Sequence, residues 1–141
     1  MPRVARWGAP GFTLVELCVV LAVAGVLASI AWPSFQSQLQ RGRRADAVTA
    51  LLRVQLAQEN YRSHHGMYAS QLNALVGATA RRSGEGLYDI ELLGTGGDRY
   101  EARATARAGS VVASDAGCTV LSLQVRDGLA EFAPSPRCWN R

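Results

Sequence analysis

The sequence predicts an α+β fold: a long N-terminal helix whose first half suits a membrane and whose second half packs on a four-stranded antiparallel β-sheet, closed by a C-terminal disulfide loop. Three observations carry this. Residues 12–32 form an apolar run with a single charge, Glu16. Residues 45–61 repeat apolar side chains at helical period, and from Leu87 onward the period becomes two, in short segments parted by Gly- and Asp-containing turns. Cys118 and Cys138 lie together in the last part of the chain. With 141 residues the chain is sized for one domain. Its net charge of +4, carried on arginine alone, is far from that of a dedicated nucleic-acid binder.

As a helix, the run from Phe12 to Trp32 spans roughly 30 Å, the thickness of one bilayer core. An ionised carboxylate inside it costs about 2.5–3.5 kcal/mol, so Glu16 needs a reason. A cleaved signal peptide accounts for Arg3, Arg6 and the small triplet Ala22-Val23-Ala24, but not for a charge in its apolar stretch. A lipoprotein signal fits Leu17-Cys18, yet the apolar run lies on the wrong side of that cysteine. A plain anchor explains the length alone, with Cys18 as a small buried hydrophobe. The stretch Gly11-Phe12-Thr13-Leu14-Val15-Glu16-Leu17 resembles the class III leader junction of type IV pilins and related pseudopilins. That resemblance implies a leader at 1–11, cut after Gly11 by a membrane prepilin peptidase that also methylates the new N-terminus on Phe12. It makes Glu16 the subunit-assembly residue. The physics agrees, because a carboxylate in hydrocarbon gains when it meets a neighbour's Phe12 ammonium in a filament core.

Further along, Ala22, Ala24, Gly25, Ala28 and Ser29 fit close helix approach in lipid and fit neutral filler equally well. Trp32 suits an interfacial aromatic belt. Pro33 removes a backbone donor and predicts a kink, and the resemblance implies that the helix bends there without ending. Residues 33–65 then read as an amphipathic helix continuing into the head. Arg41, Arg43 and Arg44 read as a juxtamembrane cluster, solvated and near lipid phosphates. Ala45, Val48, Leu52 and Leu56 make one apolar stripe, while Ala47, Ala50, Leu51, Val54, Ala57 and Tyr61 make a broader second one. Asp46, Thr49, Arg53 and Asn60 fill a polar wedge between them. One stripe suffices for a sheet in the same subunit and the other for neighbouring subunits. His64-His65-Gly66 ends the helix in a structural role, since adjacent histidines face different ways and no carboxylate or thiolate cluster is near them in sequence.

Residues 66–141 read as a globular sheet head. A connecting region at 69–86 contains the loop Arg81-Arg82-Ser83-Gly84. Strands follow at Leu87–Leu93, Arg99–Ala106, Thr119–Val125 and Leu129–Ala133, with turns at 94–98 and 127–128. Four such strands suggest an antiparallel meander covered on one face by the helix. Cys118 and Cys138 suggest a disulfide in an oxidising compartment, two free thiols being the alternative. The pair Cys138-Trp139 sharpens the resemblance to PilE-like minor pilins, which carry a late disulfide and a C-terminal Cys-Trp.

No nucleotide loop, dinucleotide fingerprint, metal-spaced Cys/His set or Ser/His/Asp motif occurs, so no catalytic residue, metal ligand or cofactor is expected. The resemblance implies a minor pilin, anchored in the inner membrane with a periplasmic head and then incorporated in an extracellular pilus. Its partners would be the prepilin peptidase and other major and minor pilins in a helical filament. Assembly or initiation of that filament would serve twitching motility, adhesion or DNA uptake. Similar sequences include DNA-receptor pilins, for which Arg81, Arg82, Arg99, Arg103 and Arg107 would form a basic stripe. Asp98, Glu101 and Asp115 are interspersed and weaken that reading. The same leader also suits a type II secretion pseudopilin, against which the late disulfide argues, or a major pilin.

Overall fold

The computed structural model describes residues 11–76 and 81–140. The expected leader lies outside the described residues apart from Gly11, as do residues 77–80 of the connecting region. The chain divides into two compact units, Met1–Ser37 and Gln38–Arg141. Helix α1, Leu14–His65, contributes to both and contains Pro33 within its span.

In the first unit every described residue is exposed. The apolar part of α1 is long and apolar enough to cross a membrane, and none of it is buried by protein. Two of its serines are locally satisfied. Ser29 Oγ donates to the Val26 carbonyl at 2.7 Å, and Ser37 Oγ to the Ser34 carbonyl at 2.9 Å. Hydroxyls so paired remain tolerable where no water is available.

The second unit is built on an antiparallel sheet in the order β1 (Tyr88–Gly96), β2 (Arg99–Ala106), β3 (Val120–Arg126), β4 (Leu129–Ala133). Alternation decides its faces. Tyr88, Ile90, Tyr100, Ala102, Ala104, Leu121, Leu123 and Val125 turn inward and share one core with Ala47, Ala50, Leu51 and Val54 of α1. The second helical stripe therefore covers the sheet, as one of the two had to. Leu52 and Leu56 of the first stripe stay 42% and 73% exposed.

Element bounds differ from the sequence reading, and β1 begins at Tyr88, one residue later than expected. β1 continues to Gly96, which pairs with Arg99, across a register irregularity after Leu93 where Gly94 adopts φ +56°. Glycine can take that conformation, so the expected turn residues become a bulged strand end. β3 begins and ends one residue later than expected. A 3-10 turn at Pro136–Trp139 and a four-residue helix α2 at Asn73–Val76 have no counterpart in the periodicity.

One buried polar side chain has no place in the stripes read from sequence. Gln58 is fully buried on the sheet-facing side of α1. Its Nε2 donates to the Ala69 carbonyl at 3.0 Å and its Oε1 accepts from the Ala69 N–H at 2.8 Å. The amide thus stands in for backbone partners of the chain leaving the helix. Gln58→Ala strands both Ala69 groups, at about 1–3 kcal/mol each, so a loss of roughly 3 kcal/mol is expected in urea denaturation. Gln58→Glu should cost at least as much, since an ionised carboxylate would be buried without a counter-charge against the Ala69 carbonyl. Equal stability of all three proteins would disprove the assignment.

Candidate assembly site and head surface

At the start of α1, Phe12 is 84% exposed, and Thr13 Oγ1 accepts the Glu16 N–H at 3.2 Å. The Leu17 N–H bonds the Thr13 carbonyl at 3.1 Å. Thr13 is therefore the N-cap and Glu16 the third helical residue, a Thr-x-x-Glu capping pattern that the sequence spells out within the leader motif. An anion in the first turn also gains about 0.3–1 kcal/mol from the helix dipole. That offsets only part of the roughly 2.5–3.5 kcal/mol insertion cost. Local structure leaves most of the cost of Glu16 unanswered.

The head is closed where β3 begins. Cys118 and Cys138 are bonded, with Cα atoms 5.4 Å apart, and both are buried. Next to them lies a buried ion pair. Arg44 Nε donates to Asp115 Oδ2 and Nη2 to Oδ1, both at 2.6 Å, while Nη1 reaches the Arg137 carbonyl at 3.3 Å. This corrects the expectation for Arg44, which is 3% exposed and separate in role from the solvated Arg41 and half-buried Arg43. The hydrogen bonds from Arg44 to Asp115 push the guanidinium pKa up despite burial. Asp115, in turn, is no surface carboxylate. Asp46 likewise leaves the polar wedge, being buried with Oδ1 accepting the Glu85 N–H at 3.0 Å. Burial pushes the Tyr88 phenol up to about 12, with Asp115 adding to the rise and Arg44 opposing it.

At the other end of α1, the His64 and His65 Nδ1 atoms bond the carbonyls of Asn60 and Tyr61 at 2.8 and 2.9 Å. Both imidazoles serve their own last turn, and Gly66 follows at φ +72°.

On the outer sheet face the anticipated basic stripe is interleaved with carboxylates. Arg103 Nη2 meets Glu101 at 2.8 Å, and Arg82 and Arg107 approach Asp89 at 3.9 and 3.7 Å. Among the described residues Arg99 pairs only with its chain neighbour Asp98, at 3.5 Å. Arg126, absent from the stripe read along the chain, stands directly opposite Arg99 in the β2–β3 register.

Two family models match the chain. One, described as type IV minor pilin ComP, DNA uptake sequence receptor, covers residues 33–122. The other, the prokaryotic N-terminal methylation motif, covers residues 9–32. The chain belongs to the type IV pilin family. The type IV major pilin PilA of Myxococcus xanthus is 33% identical over 99 residues, which is 70% of this pilin and 38% of the relative. The type IV major pilin PilE of Neisseria gonorrhoeae is 32% identical over 82 residues, 58% of this pilin and 48% of the relative. The fimbrial protein EcpC of Eikenella corrodens is 35% identical over 75 residues, 53% and 48% respectively. This pilin thus spans less than half the length of these relatives. The long N-terminal helix, four-stranded antiparallel sheet and late disulfide are those of the type IV pilin fold.

Proposed function

We propose that this pilin is a minor subunit of a type IV pilus. Prepilin peptidase cuts it after Gly11 and methylates Phe12. It waits in the inner membrane with its head periplasmic, then enters a helical filament of other pilins through residues 12–32, with Pro33 as the bend before the amphipathic segment 33–65. The observation that carries the proposal is Glu16, whose cost in an apolar helix exceeds what its cap position returns. A neighbour's Phe12 ammonium supplies the missing charge in the filament and not in the bilayer. Mass spectrometry of the mature chain should give methylated Phe12 as its first residue. Glu16→Ala should leave cleavage intact and reduce recovery in sheared filaments at least tenfold. A different N-terminus overturns the processing step, and normal incorporation of the variant overturns the pairing role.

A second reading, contact with incoming DNA, is favoured by the match of residues 33–122 to the family described as a DNA uptake sequence receptor. It assigns the head a ligand in addition to its place in the filament. Salt-dependent affinity of the mature pilin for duplex DNA tests it.

A further inference from the structure

The β2–β3 register sets Arg99 opposite Arg126, and the inward turn of the adjacent Tyr100 and Val125 places both arginines on the outer face. Like charges directly opposite on a sheet repel, so such a pair needs a compensating anion. Two carboxylates flank Gln124 on that face, Glu101 on β2 and Glu131 on β4, and among the described residues neither forms an ion pair with Arg99 or Arg126. Glu101 Oε1 accepts from Arg103 Nε and Nη2 at 3.1 and 2.8 Å, and Oε2 accepts from Gln124 at 3.4 Å. Asp98 meets Arg99 at 3.5 Å, but with both side chains about 60% exposed this contact is weak in water. Asp127 follows Arg126 in the adjoining turn, and among the described residues Arg126 makes no ion pair.

The surroundings leave the pair open. Gly96 is the β1 partner of Arg99 and has no side chain of its own. Gly94, Tyr100, Glu101, Gln124 and Val125 complete a cleft with the two arginines. Opposed strand positions lie about 5 Å apart at Cα, which lets two guanidinium forks share one tetrahedral anion.

We infer that Arg99 and Arg126 form a phosphodiester-binding pair for a nucleic-acid backbone at the hairpin end of the outer sheet face. The inference rests on the DNA-uptake reading, which supplies the ligand class, while the register supplies the site. Phosphate contacts of this kind add affinity without reading sequence.

The test uses the full mature pilin in neutral-detergent micelles and fluorescein-labelled duplex DNA, titrated by anisotropy across a chloride series. Arg99→Gln/Arg126→Gln should weaken binding at least tenfold at low salt and shallow the log–log salt slope by about 0.9, the worth of the one phosphate the two forks share. Arg82→Gln, which makes half that change in net charge at an arginine beside Asp89, should keep at least half of the wild-type affinity. The double variant's melting temperature should hold or rise, because a repulsion has been removed. Wild-type binding with an unchanged double variant overturns this site and leaves the uptake reading standing. Absence of salt-dependent binding by the wild type overturns both. Displacement of DNA by millimolar inorganic phosphate at constant ionic strength would assign the pair to free phosphate and overturn the nucleic-acid assignment.

Discussion

Asp115→Ala is expected to cost the head about 3–5 kcal/mol, because it leaves the Arg44 guanidinium buried without its counter-charge. The pair joins parts of the chain that lie 71 residues apart, and both side chains are almost wholly excluded from water. Arg44 also holds the Arg137 carbonyl, so the loss should reach the C-terminal turn as well. Arg44→Ala should cost less than Asp115→Ala if Asp115 can be protonated or hydrated, whereas a guanidinium cannot shed its charge. The apolar double replacement Arg44→Met/Asp115→Leu should recover most of the loss, since two desolvated charges gain little over well-packed hydrocarbon. Urea denaturation of wild type, the two alanine variants and their combination gives the coupling energy directly. A cost below about 1 kcal/mol for Asp115→Ala would mean that water reaches the pair in solution.

That pair also marks the boundary of what the sequence could disclose. Residue period separates helix from sheet because side-chain direction repeats every 3.6 or every 2 positions, whatever the tertiary contacts. On that basis β2 and β4 come out with their observed ends, and Ala47, Ala50, Leu51 and Val54 fall on the buried stripe. Arg44 reads with Arg41 and Arg43 because sequence offers only chain neighbours. Its real partner is set by how the loop before β3 folds back on α1. Gln58 does carry a signal, since it continues the stripe of Leu51 and Val54 by one helical turn. A lone amide on an apolar face implies a backbone group to satisfy, although not which one.

The sites divide in the same way. The proposed processing and assembly residues, Gly11, Phe12 and Glu16, are read from a short linear motif, within which Thr13 caps the helix. The arginine pair is half legible. Arg99 lies on the expected stripe, but Arg126 joins it only through strand register, while tertiary placement ties Arg103 to Glu101 and leaves Arg82 and Arg107 sharing the single exposed carboxylate of Asp89. Counting charges along the chain cannot distinguish a neutralised arginine from a free one.

Removing the disulfide is the second large perturbation. Cys118→Ser/Cys138→Ser is expected to lower head stability by roughly 3 kcal/mol, the chain-entropy value for a closed loop of about 20 residues. The C-terminal turn would not be released at once. Trp139 Nε1 donates to the Ala133 carbonyl at 2.9 Å, its ring meets Phe132 edge-on at 4.7 Å, and Asn140 Nδ2 donates to the Arg41 carbonyl at 3.1 Å. Loss should therefore appear as earlier local opening, seen as faster hydrogen exchange of residues 134–140 in the double variant and in reduced wild type alike. The bond and the ion pair share this neighbourhood, because the Cys118 N–H donates to the Asp115 carbonyl at 3.0 Å and Arg44 holds Arg137 beside Cys138. Combining the cysteine replacements with Asp115→Ala should consequently lose less than the sum of the two costs, by about 0.5–3 kcal/mol. Strict additivity would show two independent fastenings, with the buried charge pair holding the loop before β3 and the sulfur bridge alone holding the C-terminal turn.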